Sequence, residues 1–204
     1  MNPQLHLVPA PIPLASQAEL RISFERGPMT RQLRNAALAI GGEAMWQELL
    51  TRVSPACRAR FSEPIGYFEW VASDLALELH AAWIDFHGKD TMEQRGSEAA
   101  REILDGPQRW ILRMATPGLL LQALPRMYGF YYRGGRLMLD ELGEGFAEIT
   151  LWATGYFPNW FDLALPAWAS EALHMTGAQS VEVQVAPMDP ALPHRHHYRL
   201  AWKV

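Results

Sequence analysis

The most suggestive group of chemistry-bearing side chains is a histidine-rich run near the C-terminus, His194-Arg195-His196-His197. In an extended chain His194 and His196 project to the same side, a spacing that can bind a divalent metal such as zinc. A third ligand would have to come from elsewhere, with Asp189 and His174 as candidates. The run also opens the last predicted strand, where surface histidines are common. The main prediction is therefore that no metal is bound, and a divalent metal at His194 and His196 is the alternative.

A second pair of histidines, His80 and His87, lies on the longest predicted helix. Seven residues apart, the two point roughly the same way. Leu79, Trp83 and Phe86 neighbour them, and an apolar pocket with one histidine is what an axial haem ligand needs. A histidine beside an apolar helical stripe is more often packed or half exposed. The prediction is no cofactor, with haem kept as a second alternative.

The single cysteine, Cys57, is predicted to be structural. It sits in the first turn of a helix that starts at Ser54-Pro55, where the helix dipole lowers a thiol pKa. Catalytic use would also require a nearby histidine, and none is close in sequence. The chain contains no GxGxxG, GxxxxGK[ST], GxSxG, HExxH or CxxC motif, which favours a non-enzymatic protein.

The predicted ligand-binding residues combine large rings with arginines: Trp83, Tyr128, Tyr131, Arg133 and Arg136. Glycines interrupt the aromatic segment, and large rings beside missing side chains are hard to pack without leaving a cleft. Apolar clefts with a few polar groups are common ligand sites. The tyrosine hydroxyls and one guanidinium would orient the polar end of a mostly apolar ligand. The alternative left open is that the rings interdigitate fully and form core.

Composition excludes several classes of protein. Hydrophobic residues make up 49% of the 204, which rules out intrinsic disorder. The 18 Lys+Arg against 22 Asp+Glu give a formal net charge of −4, too acidic for a general nucleic-acid binder. One cysteine cannot form an intramolecular disulfide, and no apolar run is long enough to span a membrane, so a cytoplasmic location is predicted.

Apolar residues spaced by threes and fours predict that the first two thirds of the chain are helical. A glycine pair, Gly41-Gly42, ends the first helix, and proline junctions separate the later ones. The predicted helices are Thr30–Ile40, Glu43–Thr51, one starting at Pro55, Tyr67–Phe86, Met92–Leu104, Pro107–Ala115 and Pro117 to about Tyr131.

Near Gly134 the apolar period changes from 3.6 to 2, which predicts strands. A hairpin turn joins the first two, and a helix separates them from the last two. These elements are strands Gly135–Leu142 and Phe146–Ala153, helix Trp160–Thr176, and strands Val181–Val185 and His196–Lys203. The sequence therefore predicts an α+β fold, with an N-terminal helical region followed by a β-β-α-β-β antiparallel sheet of about four strands. A Pro-rich arm is predicted at residues 1–16, and a single α+β domain at residues 17–204.

Three diffuse stretches carry a resemblance to a known family. They are "FERGPMTRQLRNAALAIGGEAMWQELLTRVSP", "RWILRMATPGLLLQALPRMYGFYYRGGRLMLDELGEGFAEI" and the closing helix, valine strand and "YRLAW". In these the chain resembles a paralogous family of roughly 200-residue proteins of unknown function expanded in myxobacteria. That family is similar in turn to haem–nitric-oxide-binding, vinyl-reductase-like and TRAPP-like small-ligand or assembly domains. The resemblance implies a fold with helices first and a sheet last.

Two features of those relatives are missing from this chain. The Y-x-S-x-R haem propionate motif of the nitric-oxide sensors is absent, because Tyr131-Tyr132-Arg133-Gly134 does not match it. The cysteines common near the last strands of vinyl-reductase-like domains are also absent. Both departures argue against inheriting haem or metal. The functional prediction is a non-enzymatic, regulatory or sensory domain that binds a small apolar ligand or a protein partner, with a homodimer as one option. The alternative is a haem- or metal-dependent redox or enzymatic protein.

Overall fold

A computed structural model describes residues 17–104, 115–155 and 160–204. The predicted Pro-rich arm at residues 1–16 lies outside the described residues. Most of the predicted helix Pro107–Ala115 lies outside them as well.

Five helices occupy the first half of the described chain: α1 Gln17–Leu20, α2 Gly27–Thr51, α3 Pro55–Ser62, α4 Ser73–His87 and α5 Thr91–Leu104. The backbone of α2 leaves helical geometry at Gly41 and Gly42, and Gly42 has φ 65°. The predicted helix end at the glycine pair is therefore confirmed as a break between two helical stretches. No described helix combines the length and the apolar composition that a bilayer crossing needs.

The prediction that the first two thirds of the chain are entirely helical is wrong. Two short strands, β1 Phe24–Arg26 and β2 Trp70–Ala72, pair antiparallel, and β3 Tyr132–Arg133 adds to the other side of β1. This small sheet has the order β2-β1-β3. The helix predicted to begin at Tyr67 begins only at Ser73, because the preceding residues are held extended by their hydrogen bonds to β1.

The second half forms the predicted antiparallel sheet. Its strands are β4 Arg136–Gly143, β5 Phe146–Trp152, β6 Ser180–Val185 and β7 Arg195–Lys203, in the order β4-β5-β7-β6. The alternating sequence of β6 gives it one inward face, since Val181, Val183 and Val185 pack against the core while Glu182 and Gln184 are exposed. The α+β fold with a β-β-α-β-β sheet is therefore confirmed.

Helices cover one face of this large sheet. Helix α6, Pro117–Tyr131, begins at Thr116, whose side chain accepts a hydrogen bond from the Leu119 backbone N–H. A π-helical segment, Trp160–Ala164, leads directly into α7, Leu165–Met175. Together with α5 these helices bury the inner face of the sheet.

The buried apolar residues form two separate clusters. The sheet core lies between the large sheet and helices α5, α6 and α7. The helical core joins α2, α3 and α4 through residues such as Leu33, Trp46, Leu50, Phe61 and Trp83. The chain segment before β1 links the two halves, because Ile22 donates its backbone N–H to Thr154 just beyond β5 at 2.9 Å.

Candidate ligand-binding cavity

A cavity of about 80 Å³ lies inside the sheet core. It is bounded by α6 on one side, by the π-helical segment and α7 on another, and by the inner face of the large sheet. The lining residues are Met29, Leu124, Met127, Tyr128, Tyr131, Tyr132, Leu137, Ile149, Trp160, Leu165, Trp168, Ala169, Val183, Tyr198 and Leu200. None of these side chains is charged, so the cavity is an apolar one.

One wall of the cavity is a stripe along α6. Leu124, Met127, Tyr128 and Tyr131 are spaced by three, four and seven residues, so they lie on one face of the helix. This face lies against the large sheet. The end of α6 continues directly into β3, and β4 follows after a short turn. The sequence pattern that predicted the helix therefore also fixes which of its side chains reach the cavity.

The opposite wall comes from alternating residues of the large sheet. Ile149 of β5 pairs with Tyr198 of β7, and Val183 of β6 pairs with Leu200 of β7. Since side chains on one face alternate along each strand, these residues project together from the inner face. The remaining wall is helical and includes the two indoles of Trp160 and Trp168.

Two of the tyrosine hydroxyls at the cavity bond to the backbone. Tyr128 donates to the Gly134 carbonyl at 3.0 Å, and Tyr198 donates to the Phe161 carbonyl at 3.2 Å. Burial raises the pKa of both phenols above the usual range. Both groups are therefore neutral donors, which gives the cavity shape and rigidity but no ready general acid or base.

The structure places the predicted ligand-binding residues in four different surroundings. Tyr128 and Tyr131 line the cavity. Trp83 belongs to the helical core, where its indole N–H donates to the Thr91 hydroxyl at 3.1 Å. Arg133 lies on the small sheet with its guanidinium over the Trp70 ring, and Arg136 is exposed at the start of β4. Among the described residues, Trp83 and the two tyrosines therefore do not line one common cleft.

Sequence reasoning missed several cavity residues that are far apart in the chain. Met29 lies in the first turn of α2, just before the predicted helix start. The sequence pattern places Trp160 and Trp168 in a predicted helix and Tyr198 in the last predicted strand. It does not indicate that the three side chains meet at a cavity. The alternation along β7 is a usable signal, because it places Tyr198 and Leu200 on one face of the strand, and the structure shows that this face is the buried one.

The histidines proposed as axial haem ligands do not line this cavity. His80 is buried in α4, its ring centroid 6.2 Å from that of Trp160, and burial, with a smaller contribution from the charge of Arg95, lowers its pKa to about 3. The ring of His87 packs on Trp83 at 4.2 Å. His80 therefore faces packed surroundings, and His87 lines a separate pocket beside Trp83 rather than this cavity.

The lining itself also fails to fit a haem. Among the described residues it contains no histidine or cysteine, the usual strong iron ligands, and no lysine or arginine to pair with the propionates. Its volume of about 80 Å³ is below the roughly 150 Å³ of a known protein cavity that holds benzene. As the described residues stand, haem does not fit here.

The alternative metal ligands each make other contacts. His196 is buried with its ring stacked on Phe161 at 4.0 Å, and burial lowers its pKa. His194 lies in the turn before β7, where its carbonyl accepts a hydrogen bond from Ala153. A third ligand candidate, His174, has its Nδ1 2.8 Å from the Ala178 carbonyl. Within the described ranges, no three His, Cys, Asp or Glu side chains converge as a metal-binding group.

Cys57 occupies a structural position at the start of α3. The Ser54 side chain caps this helix by accepting from the Cys57 backbone N–H, as the sequence predicts. The thiol lies 3.4 Å from the Leu75 carbonyl and is fully buried. Burial raises its pKa to about 12, so desolvation outweighs the helix dipole that was expected to lower it.

Comparison with known proteins shows the fold but no family. No protein-family model matches the chain, and no curated protein matches it. Similar solved structures include an Fe(II) unliganded H-NOX protein from K. algicida, with 9% identity, TM-score 0.64, and coverage of 88% of this chain and 97% of that one. An oxygen-binding H-NOX domain related to soluble guanylate cyclases, in its oxygen complex, has 10% identity, TM-score 0.66 and coverages of 88% and 95%.

A third structure gives the same result. An H-NOX protein from S. oneidensis in the Fe(II)NO state has 11% identity, TM-score 0.60, and coverages of 88% of this chain and 99% of that one. The expected distant likeness to haem–nitric-oxide-binding domains is thus confirmed at the level of fold, while the resemblance to a myxobacterial family stays a prediction. The chain has the H-NOX fold.

Proposed function

We propose that residues 17–204 form one sensory domain, cytoplasmic and non-enzymatic, that binds a small apolar molecule in the cavity between α6, α7 and the large sheet. The observation that carries this proposal is the uncharged cavity of about 80 Å³ inside the sheet core. Apolar cavities of this kind stay dry and bind apolar guests. The H-NOX structures that hold oxygen or nitric oxide support a sensory role for the fold.

The size of the cavity restricts the ligand. A volume of about 80 Å³ accommodates a molecule of few heavy atoms, smaller than benzene. A fatty acid, isoprenoid or tetrapyrrole would require side chains to move. Met29 and Met127 are the adaptable residues of the lining, because unbranched thioether side chains repack at low cost.

The position of Met29 provides a route from ligand binding to a change elsewhere. Met29 lines the cavity, and four residues later in the same helix Leu33 packs in the helical core. A ligand that fixes Met29 against Tyr131 therefore favours one placement of α2 over others. Binding energy in the sheet core would in this way bias the helical half of the protein.

The test uses xenon as a size-matched apolar probe. Binding is followed by xenon NMR and by the melting temperature under xenon pressure, which rises by linkage when a ligand binds only the folded state. The variant Ala169→Leu fills the cavity and should abolish xenon binding. The matched control is Ala167→Leu, the same substitution two residues earlier on α7 at a half-buried position away from the cavity. Equal xenon binding by both variants, or none by the unmodified chain, contradicts the proposal.

Haem binding is the second candidate, and the H-NOX fold is what favours it. An absorption spectrum and the native mass of the purified protein test it directly, and the mass also tests the expected homodimer option. A stoichiometric haem spectrum, either as purified or after adding haemin, would replace the proposal of a directly bound apolar ligand. A spectrum without a haem band that persists after haemin is added supports that proposal.

A further inference from the structure

The outer face of the small sheet carries a cluster of aromatic rings and arginines outside the cavity. Residues Phe24, Arg26, Trp70 and Arg133 project from its strands, and Phe68 and Phe130 flank them. We refer to these six residues as the aromatic–arginine face. Phe24 and Phe68 are 38% and 68% exposed, so two large apolar side chains of the cluster are left in solvent.

Strand register explains why these residues share one side. Arg26 pairs with Trp70, and Phe24 pairs with Arg133 across the other edge of β1. Their side chains therefore point away from the protein, while Glu25 between them is fully buried. Since β1 is the central strand of the small sheet, side chains from all three strands contribute to the face.

The two arginines are stacked on rings instead of being paired with carboxylates. The guanidinium carbon of Arg26 lies 4.2 Å from the Phe130 ring centroid and 4.5 Å from that of Trp70. That of Arg133 lies 4.4 Å from the Trp70 centroid and 5.9 Å from that of Phe24. Among the described residues, neither arginine has a carboxylate within ion-pair distance.

This arrangement leaves two positive charges held in place by rings, with Arg133 exposed and Arg26 half-buried with its Nε enclosed. Stacking uses the flat surface of a guanidinium, whereas its N–H groups point outward in the plane of the group. Ring contacts hold the guanidinium in place, so less rotamer freedom is lost when a carboxylate binds it in a bidentate manner. Arginine and aromatic residues are also the types that contribute most at protein interfaces.

We propose that the aromatic–arginine face binds an acidic segment of a partner protein, with carboxylates on Arg26 and Arg133 and apolar side chains on Phe24 and Phe68. Charge complementarity points to an anionic partner. A single-stranded nucleic acid fits less well, because guanidinia already lie against the Trp70 ring on which a base would stack, and the chain is acidic overall. The proposal does not depend on what the cavity binds.

The experiment measures binding of a fluorescent peptide of alternating Glu and Leu to the full chain at low and at raised salt. Arg133→Gln should weaken binding by about tenfold, since a charge-assisted hydrogen bond is lost. The matched control is Arg136→Gln. It removes an exposed arginine that lies three residues after Arg133 but is not part of the face. Phe68→Ser should also weaken binding, whereas Phe146→Ser, at another exposed ring on the large sheet, should not.

Three outcomes with the peptides would overturn the proposal. They are no binding of the acidic peptide at low salt, equal binding of a peptide with Gln in place of Glu, and equal loss in Arg133→Gln and Arg136→Gln. Tighter binding of oligothymidylate than of the peptide would also overturn it in favour of nucleic acid. Circular dichroism melts of each variant separate lost binding from lost folding, and both arginines are exposed enough for the folded state to be kept.

Discussion

The hydroxyl of Tyr128 donates a hydrogen bond of 3.0 Å to the carbonyl oxygen of Gly134 and so ties α6 to the turn that starts the large sheet. Tyr128 also lines the cavity and stacks near Tyr132, with ring centroids 5.0 Å apart. The Tyr128 side chain thus lines the cavity and is hydrogen-bonded to the glycine turn beside it.

Replacing Tyr128 by Phe should destabilise the protein by about 1 kcal/mol, because the part-buried Gly134 carbonyl loses its donor while the ring remains. The cavity keeps its apolar lining, so xenon binding should persist. Urea unfolding measures the first effect and xenon NMR the second. Tyr67→Phe serves as the control, since its hydroxyl makes no hydrogen bond within the described structure; an equal loss in both variants would contradict the assigned role of Tyr128.

Replacing Gly135 by Ala should cost more than the same change at Gly177. Both glycines have positive φ, 72° and 98°, where an alanine is strained by about 1–3 kcal/mol. At Gly177 an added methyl meets open space, whereas at Gly135 it meets the Tyr128 hydroxyl and the Trp152 carbonyl.

The extra cost at Gly135 can be assigned by a double mutant. In the Tyr128→Phe background, Gly135→Ala should cost less than in the wild-type chain, because the phenolic oxygen is gone. Strict additivity of the two changes, measured by urea unfolding, would show that the methyl does not press on that oxygen.

Burial of His80 predicts a pH dependence of stability. Its folded-state pKa of about 3 lies below the ordinary value of 6.5, so the unfolded chain binds the proton more readily. The contribution of the neutral histidine is complete above about pH 6.5 and is lost as the pH falls towards 3, with a slope of at most about 1.4 kcal/mol per pH unit. The unfolding free energy of the wild type minus that of His80→Gln should therefore decrease as the pH falls through this window. A difference that is flat with pH would show that His80 titrates normally.

The raised pKa of Cys57 predicts low thiol reactivity in the native state. A buried thiol with a pKa of about 12 holds almost no thiolate at neutral pH, and the thiolate is the reactive form. Ellman's reagent should therefore react only as fast as the protein unfolds, and urea should raise the rate in step with the unfolded fraction. Fast reaction of the folded chain would place the thiol at the surface.

The elements predicted well are those whose pattern is repeated several times. The inward residues of β7, from His196 to Trp202, alternate over most of the strand and identify the face on their own. The stripe on α6 repeats over two turns. In both cases local periodicity is enough, because the element is long relative to its period.

The elements missed are short or depend on distant partners. Phe24-Glu25-Arg26 and Trp70-Val71-Ala72 are too brief for alternation to stand out, and only their mutual pairing makes them strands. Helix α4 contributes to both cores, because Trp83 belongs to the helical core while Leu77 and Ile84 pack on the sheet core. A sequence shows that such residues are buried but not in which of two cores.

The small sheet also fixes an order of events in folding. Its three strands come from the start of the helical half, from the segment between α3 and α4, and from the end of α6, so the loops that must close before they pair are long. Contacts between distant segments carry a large closure entropy and form slowly. The aromatic–arginine face is thus absent from a nascent or truncated chain, and a partner that recognises it meets only molecules whose two halves have both folded.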